Sequence, residues 1–325
     1  MSLWEKALKK SAAFGKAFLG LLFFVCADYA VTFAFIFARV DRKIYKGAYN
    51  FATCVAVFIT MMIIIKVSSM GGKPLIRISK LTPDQIAALV IIGLGMIGLV
   101  VTYIGVADKI AAYLESMKNA MEDYRESVDR YSDTPQVVVP VWDAVLYVIT
   151  LCFIVPVTEE MTFRGVVFGQ LRKGFGPWVS VILSALFFGI MHGISVHIGY
   201  AIACGLIIAA CYHITDSLIA PVILHMVFNF FGSGVASFMS IESFGIPRET
   251  TSALMSGINI SAILFMPIAV LAYTYLVAVK RKRAKEAAEL AQKGDPQVEL
   301  SVEENSASDE VVDAVSEDDG IEAQE

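Results

Sequence analysis

Apolar runs too long for the core of a soluble domain set the terms for this chain. Eight of them, at approximately residues 12–38, 50–68, 85–106, 144–171, 177–195, 197–214, 217–233 and 257–279, carry few or no charges. About 20 consecutive apolar residues suffice for a helix to cross a bilayer, and a run of this kind must satisfy its backbone internally once there. The expected fold is therefore all-α, a polytopic membrane helical bundle of about eight transmembrane helices. Composition agrees, with 57% of the 325 residues hydrophobic and a mean hydropathy of +0.66. Such a chain is an integral membrane protein with the lipid bilayer as its main partner, and no nucleic-acid partner is expected.

The start of the chain is basic, but its apolar continuation to Ala38 exceeds a signal peptide's core and reads as a first span. Cys26, Cys54, Cys152, Cys204 and Cys211 all lie inside apolar segments without CxxC spacing, so they read as small core residues. The chain divides into four regions: 1–140, N-terminal spans with an external amphipathic helix; 141–235, a core; 236–283, the last span and its basic anchor; and 284–325, an acidic tail. From Gly294 to Glu325 there are twelve acidic residues and no basic ones, which leaves the rest of the chain at a formal +7. A tail of that kind reads as disordered and solvated.

The basic "KRKRAK" after the last span and the four cations within residues 66–80 suit the inside. Residues 108–137, with seven acids against four bases, suit the outside. Both termini are then cytoplasmic, in what is expected to be a bacterial cytoplasmic membrane. Arg39, Arg42, Lys43 and Lys46 oppose this arrangement, since they fall outside. Within the outer loop, Ile110, Leu114, Met117, Met121, Tyr124, Val128 and Tyr131 recur at spacings of four and three. The seam reads as an amphipathic helix lying on the bundle; a sharper alternative is a lid, or a homo-oligomer contact through residues 109–132.

Ionisable residues inside spans are costly and therefore suspect as functional. They are Asp28, Glu159, Glu160, Arg164, His192, His213 and His225, with Asn229 as a polar companion. Counted from the span ends at Arg172 and Pro177, Glu159 and His192 both lie roughly 20 Å deep, while His225 and Asn229 lie on the order of 12 and 18 Å from Ser217. Glu160 and Arg164 are i and i+4, the spacing of a helix-stabilising ion pair. Glu159, turned about 100° from Glu160, is left for chemistry. His225 and Asn229 share a helix face, and Phe188 stands one turn from His192 to wall the site. Glu159, His192 and His225 could ligate one Zn²⁺ with water in the open position. Equally, Glu159 could act without metal as general base on a water held by the imidazoles, with Asn229 steadying the oxyanion. Either mechanism hydrolyses a peptide bond at membrane depth.

These residues resemble the signatures of the CPBP family, the CAAX prenyl protease type II and bacteriocin-processing intramembrane proteases. They stand here as "EEMTFR" (159–164), "FGIMH" (188–192) and "HMVFN" (225–229), in the family's order across residues 144–233. The resemblance implies an intramembrane endopeptidase, CAAX-protease-like, acting on a membrane-associated protein or peptide. In it Glu159 would activate water, Glu160 and Arg164 would hold the helix, and His192, His225 and Asn229 would complete the site. Two other readings are carried: a non-catalytic bacteriocin-immunity or partner-binding protein, and a proton-coupled transporter. His197 reads as interfacial, His213 as a cap or surface residue, and Asp28 as a bond to a neighbouring helix. Trp4, Trp142 and Trp178 fall where an aromatic belt is expected.

Overall fold

The structure, a computed structural model, describes residues 2–70, 72, 74–132, 139–193 and 196–292, without the side chains of 127–132 and 291–292. Among the described residues there are no strands. The helices are α1 (Leu3–Phe37), α2 (Lys46–Ser69), α3 (Pro83–Ala111), α4 (Glu115–Ser132), α5 (Val141–Leu171), α6 (Pro177–Met191), α7 (Val196–Thr215), α8 (Ile219–Met239) and α9 (Arg248–Gln292). All but α4 and α6 are long and apolar enough to cross a membrane. The outer surface is as apolar as lipid requires, with Phe33, Leu264 and Leu271 each about two-thirds exposed.

Local chemistry sets the helix ends. Ser2 with Glu5, and Thr82 with Gln85, form capping boxes at α1 and α3, each satisfying two backbone N–H groups that a helix start leaves open. Proline opens α3 and α6, where its missing N–H costs nothing. The start of α2 is capped from another helix. Asp143 of α5, fully buried, accepts from Gly47 N at 2.7 Å and Ala48 N at 2.8 Å. A Cβ on Gly47 would run into the Asp143 carbonyl, so only glycine permits this approach.

The eighth expected span is only 15 residues long, about 22 Å at 1.5 Å per residue, and falls short of the hydrocarbon thickness. Here α6 and α7 form a hairpin. Pro177 and Thr215, its two ends, line the same cavity at the face where the basic residues gather, and its tip is at Gly193, with φ +88. Between the arms, Gly189 faces Ile202, and Gly205 lies against Ala185 and Phe188.

The outer seam is divided. Ile110 closes α3, Leu114 sits in the turn after it, and both are exposed, so the heptad does not run unbroken through 109–132. Met117, Ala120, Met121 and Tyr124 of α4 lie on Tyr103, Ile104, Ala107 and Val196. The apolar face is thus covered by the chain itself, and Arg125 pairs with Asp108. The side chains of Val128 and Tyr131 lie outside the described residues. At the other end, α9 runs 45 residues, far beyond the membrane, so residues 284–292 are helical where a tail was expected. The acidic stretch 293–325 lies outside the described residues. The 235/236 boundary falls inside α8. Asp28 meets α2, as expected, accepting from the Tyr49 hydroxyl at 3.4 Å.

Asp143→Ala removes both acceptors from the first turn of α2. It should cost about 1–2 kcal/mol, read as a lower melting temperature in detergent, and Asp143→Asn should cost less.

Candidate active site

Glu159 and Glu160 sit on α5 between two π-helical segments, Thr150–Ile154 and Met161–Phe168. Such widened turns inside α-helices are frequent at functional sites. Glu160 and Arg164 are fully buried and paired at 3.0 Å, as the i,i+4 spacing predicts. The spacing does not announce the second bond on the same oxygen. His225 Nδ1 lies 2.8 Å from Glu160 Oε1. One carboxylate oxygen therefore accepts from Arg164 on its own helix and from His225 on α8. Arg164 donates onward to the Gly205 carbonyl of α7 at 3.1 Å.

Because a carboxylate only accepts, its bond to His225 puts the proton on Nδ1 and turns Nε2 elsewhere. Nε2 faces Glu159 Oε2 at 3.8 Å, beyond hydrogen-bonding distance. That Glu159 oxygen is buried and has no hydrogen-bond partner among the described residues. The sequence assigned Glu160 to structure and Glu159 to chemistry. Glu160 also orients the imidazole that the chemistry would use.

Phe188, nearly buried, is the hub of the third element. Its ring lies 4.4 Å from the His192 ring and 6.1 Å from the His225 ring, and the Arg164 guanidinium stands over it at 4.7 Å. Thus the two histidines approach the same aromatic ring from α6 and α8. His192 Nδ1 lies 2.7 Å from the Phe188 carbonyl, so the proton is on Nδ1 and Nε2 is the acceptor. Asn229 donates from Nδ2 to the Leu151 carbonyl at 2.9 Å, tying α8 to the first π segment of α5.

A His/His/Glu zinc site needs three donors about 2.0–2.2 Å from one point. Among the described residues, no group of three His, Cys, Asp or Glu side chains is placed to hold a metal ion. His225 and His192 each direct Nδ1 at a protein oxygen, and Glu159, His192 and His225 do not assemble as a ligand trio. His197, which the sequence reads as interfacial, has its ring 5.0 Å from His192 and stacked on Tyr200 at 4.5 Å. The five-residue spacing of His192 and His197 across a glycine was the available signal. His213, by contrast, stays far from the site at the end of α7, where Lys280 donates to its carbonyl at 2.9 Å.

Glu160→Gln leaves Arg164 as an uncompensated buried charge. It should destabilise the protein by roughly 3–5 kcal/mol, whereas Glu159→Gln, on a partly buried side chain, should shift the melting temperature far less. Thermal unfolding of both variants in one detergent checks this, and similar melting temperatures would contradict the central place given to Glu160.

Comparison with known proteins converges on the same residues. The family model "Type II CAAX prenyl endopeptidase Rce1-like" matches residues 141–231. A Bacillus subtilis protein named "Putative membrane peptidase YdiL" is 28% identical over 123 residues, 38% of this chain and 50% of that protein. The match thus spans about half the length of that relative. No solved structure matches significantly. All three motifs fall inside the matched region, and over that region the chain is similar to the CPBP family.

Proposed function

We propose that the chain is an intramembrane endopeptidase that hydrolyses a peptide bond of a membrane-associated protein or peptide. One observation carries the reading: Glu160 and Arg164 hold His225 so that its Nε2 faces the unpartnered carboxylate oxygen of Glu159. Glu159 is the general base, taking a proton from the attacking water as the oxygen–carbon bond forms at the scissile carbonyl. The water's second O–H donates to an imidazole Nε2, that of His225 or of His192, which positions it. As the carbonyl becomes an oxyanion, the second N–H of Asn229 Nδ2 donates to it while the first keeps the amide on Leu151 O. The proton held on Glu159 then passes to the leaving amine when the carbon–nitrogen bond breaks.

No step runs through a metal. The chain's cytoplasmic termini and the choice of a bacterial cytoplasmic membrane belong to the same proposal, supported by the basic residues at the end of α9 and around Arg172. The similarity to prenyl endopeptidases points to a substrate that presents its cleavage site from the bilayer surface.

Glu159→Gln should lower turnover by about 10²–10⁴-fold while the protein still folds, and removal of divalent metal by chelator should leave wild-type turnover unchanged. A peptide-cleavage assay on protein reconstituted in liposomes measures both. Full activity in Glu159→Gln would end the assignment of the base, and activity lost to chelator and restored by zinc would end the metal-free mechanism.

A further inference from the structure

The His192 ring stands where its own helix constrains it least. It is the residue just beyond α6, it is half-buried, and Gly193 after it turns with φ +88. The Nδ1 bond to the Phe188 carbonyl fixes the tautomer, but a single hydrogen bond lets the ring rock about it. What settles the plane is the rings that touch it. Phe188 does so at 4.4 Å, from one turn back on the same helix. The other is His197 of α7, whose ring meets that of His192 edge to face at 5.0 Å and 60°, an arrangement that aromatic pairs favour.

His197 is held in its turn. Its ring stacks on Tyr200, three residues further along α7, at 4.5 Å and 22°. Tyr200 meets Tyr103 of α3 edge to face at 6.0 Å, and its hydroxyl is hydrogen-bonded to that of Tyr124 of α4. Gly199 permits the approach of α3, because a Cβ there would strike the Tyr103 hydroxyl. Beside the tyrosines, the buried Met121 of α4 packs with Ala107 and Val196. A continuous series of contacts thus runs from α4 through Tyr200 and His197 to His192. It ends on Phe188, the ring that also neighbours the Arg164 guanidinium and His225.

We propose that His197 is a positioning residue of the peptidase reaction. Backed by Tyr200, and through it by α4, it holds the plane of the His192 ring so that Nε2 stays presented to the attacking water. The inference rests on the peptidase reading, in which His192 Nε2 is one of two imidazole acceptors available to that water, and it commits to His192. The contact asks for the ring of His197 and not for its nitrogens, since any aromatic ring can supply the same edge and face. By this route the docking of α4 reaches the site although no residue of α4 touches substrate.

The test uses the full chain, in liposomes for peptide cleavage and in detergent for nitrogen NMR with its four histidines isotope-labelled. His192→Gln identifies the His192 signals by their loss. His197→Ala should lower kcat on the order of tenfold or more while KM stays within about twofold. In the same variant the His192 ring-nitrogen signals should broaden, and its Nδ1 proton should exchange faster with solvent. His197→Phe, which restores a ring, should recover most of the lost kcat and the sharp signals. Tyr200→Leu, which removes the ring behind His197, should lower kcat with KM again little changed. Unaltered kcat in His197→Ala, or unaltered His192 signals, overturns the proposal. A raised KM at unchanged kcat overturns it in favour of substrate contact by His197. A His197→Phe variant as slow as His197→Ala overturns it in favour of a direct chemical role for the His197 nitrogens. Full cleavage by Glu159→Gln would instead end the peptidase reading. The nitrogen spectra of His197→Ala then decide alone whether His197 holds His192, and sharp, slowly exchanging signals there would overturn that too.

Discussion

One carboxylate oxygen, Oε1 of Glu160, is the point on which the rest of the catalytic region is hung. It accepts from a guanidinium and an imidazole in a place with no solvent exposure. Taking such charges out of water costs several kcal/mol per ion, and the loss is offset only when partners are close and hydrogen bonds are made. Here the partners come from α5 and α8, with Arg164 extending the chain of bonds to a backbone carbonyl of α7. Three helices are thereby held together by the same bonds that aim His225. Packing and chemistry cannot be separated at this oxygen, because any shift that weakened the ion pair would also turn the imidazole away from Glu159. The network is also incomplete. Glu160 Oε2 and Arg164 Nε have no partner among the described residues, and groups of this kind in a buried site commonly mark a functional centre.

Within one helix, the sequence was readable. The i,i+4 spacing of Glu160 and Arg164, and of Phe188 and His192, comes from 3.6 residues per turn, and both contacts are present. Charge scarcity in apolar runs located most of the spans because lipid tolerates few ions. Relations between helices were not legible. Nothing in the spacing says that His225 meets Glu160 instead of Glu159, since that depends on how α8 is rotated against α5. Asp143 was silent too, because a cap supplied from another helix leaves no local motif. The seam of α4 misled by continuity. Its spacing persists through the turn at 112–114, where the helix does not.

The basic cavity and the buried site are two answers to the same problem, that of placing charge in an apolar solvent. At the site, opposite charges are paired until little net charge remains, and the residue left over, Glu159, is the one assigned to react. At the membrane face the described lining of the cavity includes four cations and one acid, and Arg77 and Arg172 both turn to Asp216. The same helix, α5, carries both, with Glu159 about 20 Å from Arg172 along its axis.

The shortness of α6 explains how the second imidazole reaches the site. A helix that stops inside a bilayer exposes its last carbonyls where no water can meet them. In α6 the residues just beyond the helix answer them: His192 N donates to Gly189 O, Gly193 N to Ile190 O, and the His192 ring closes on Phe188 O. Gly193, at φ +88, supplies the left-handed turn that such an ending favours. The ring bond has a chemical consequence. By capping the helix with Nδ1–H, His192 is fixed in the tautomer whose Nε2 is unprotonated and can accept a hydrogen bond. Terminating the helix and preparing the imidazole are thus one act, and a longer α6 that crossed the membrane would have satisfied its carbonyls without needing the histidine at all.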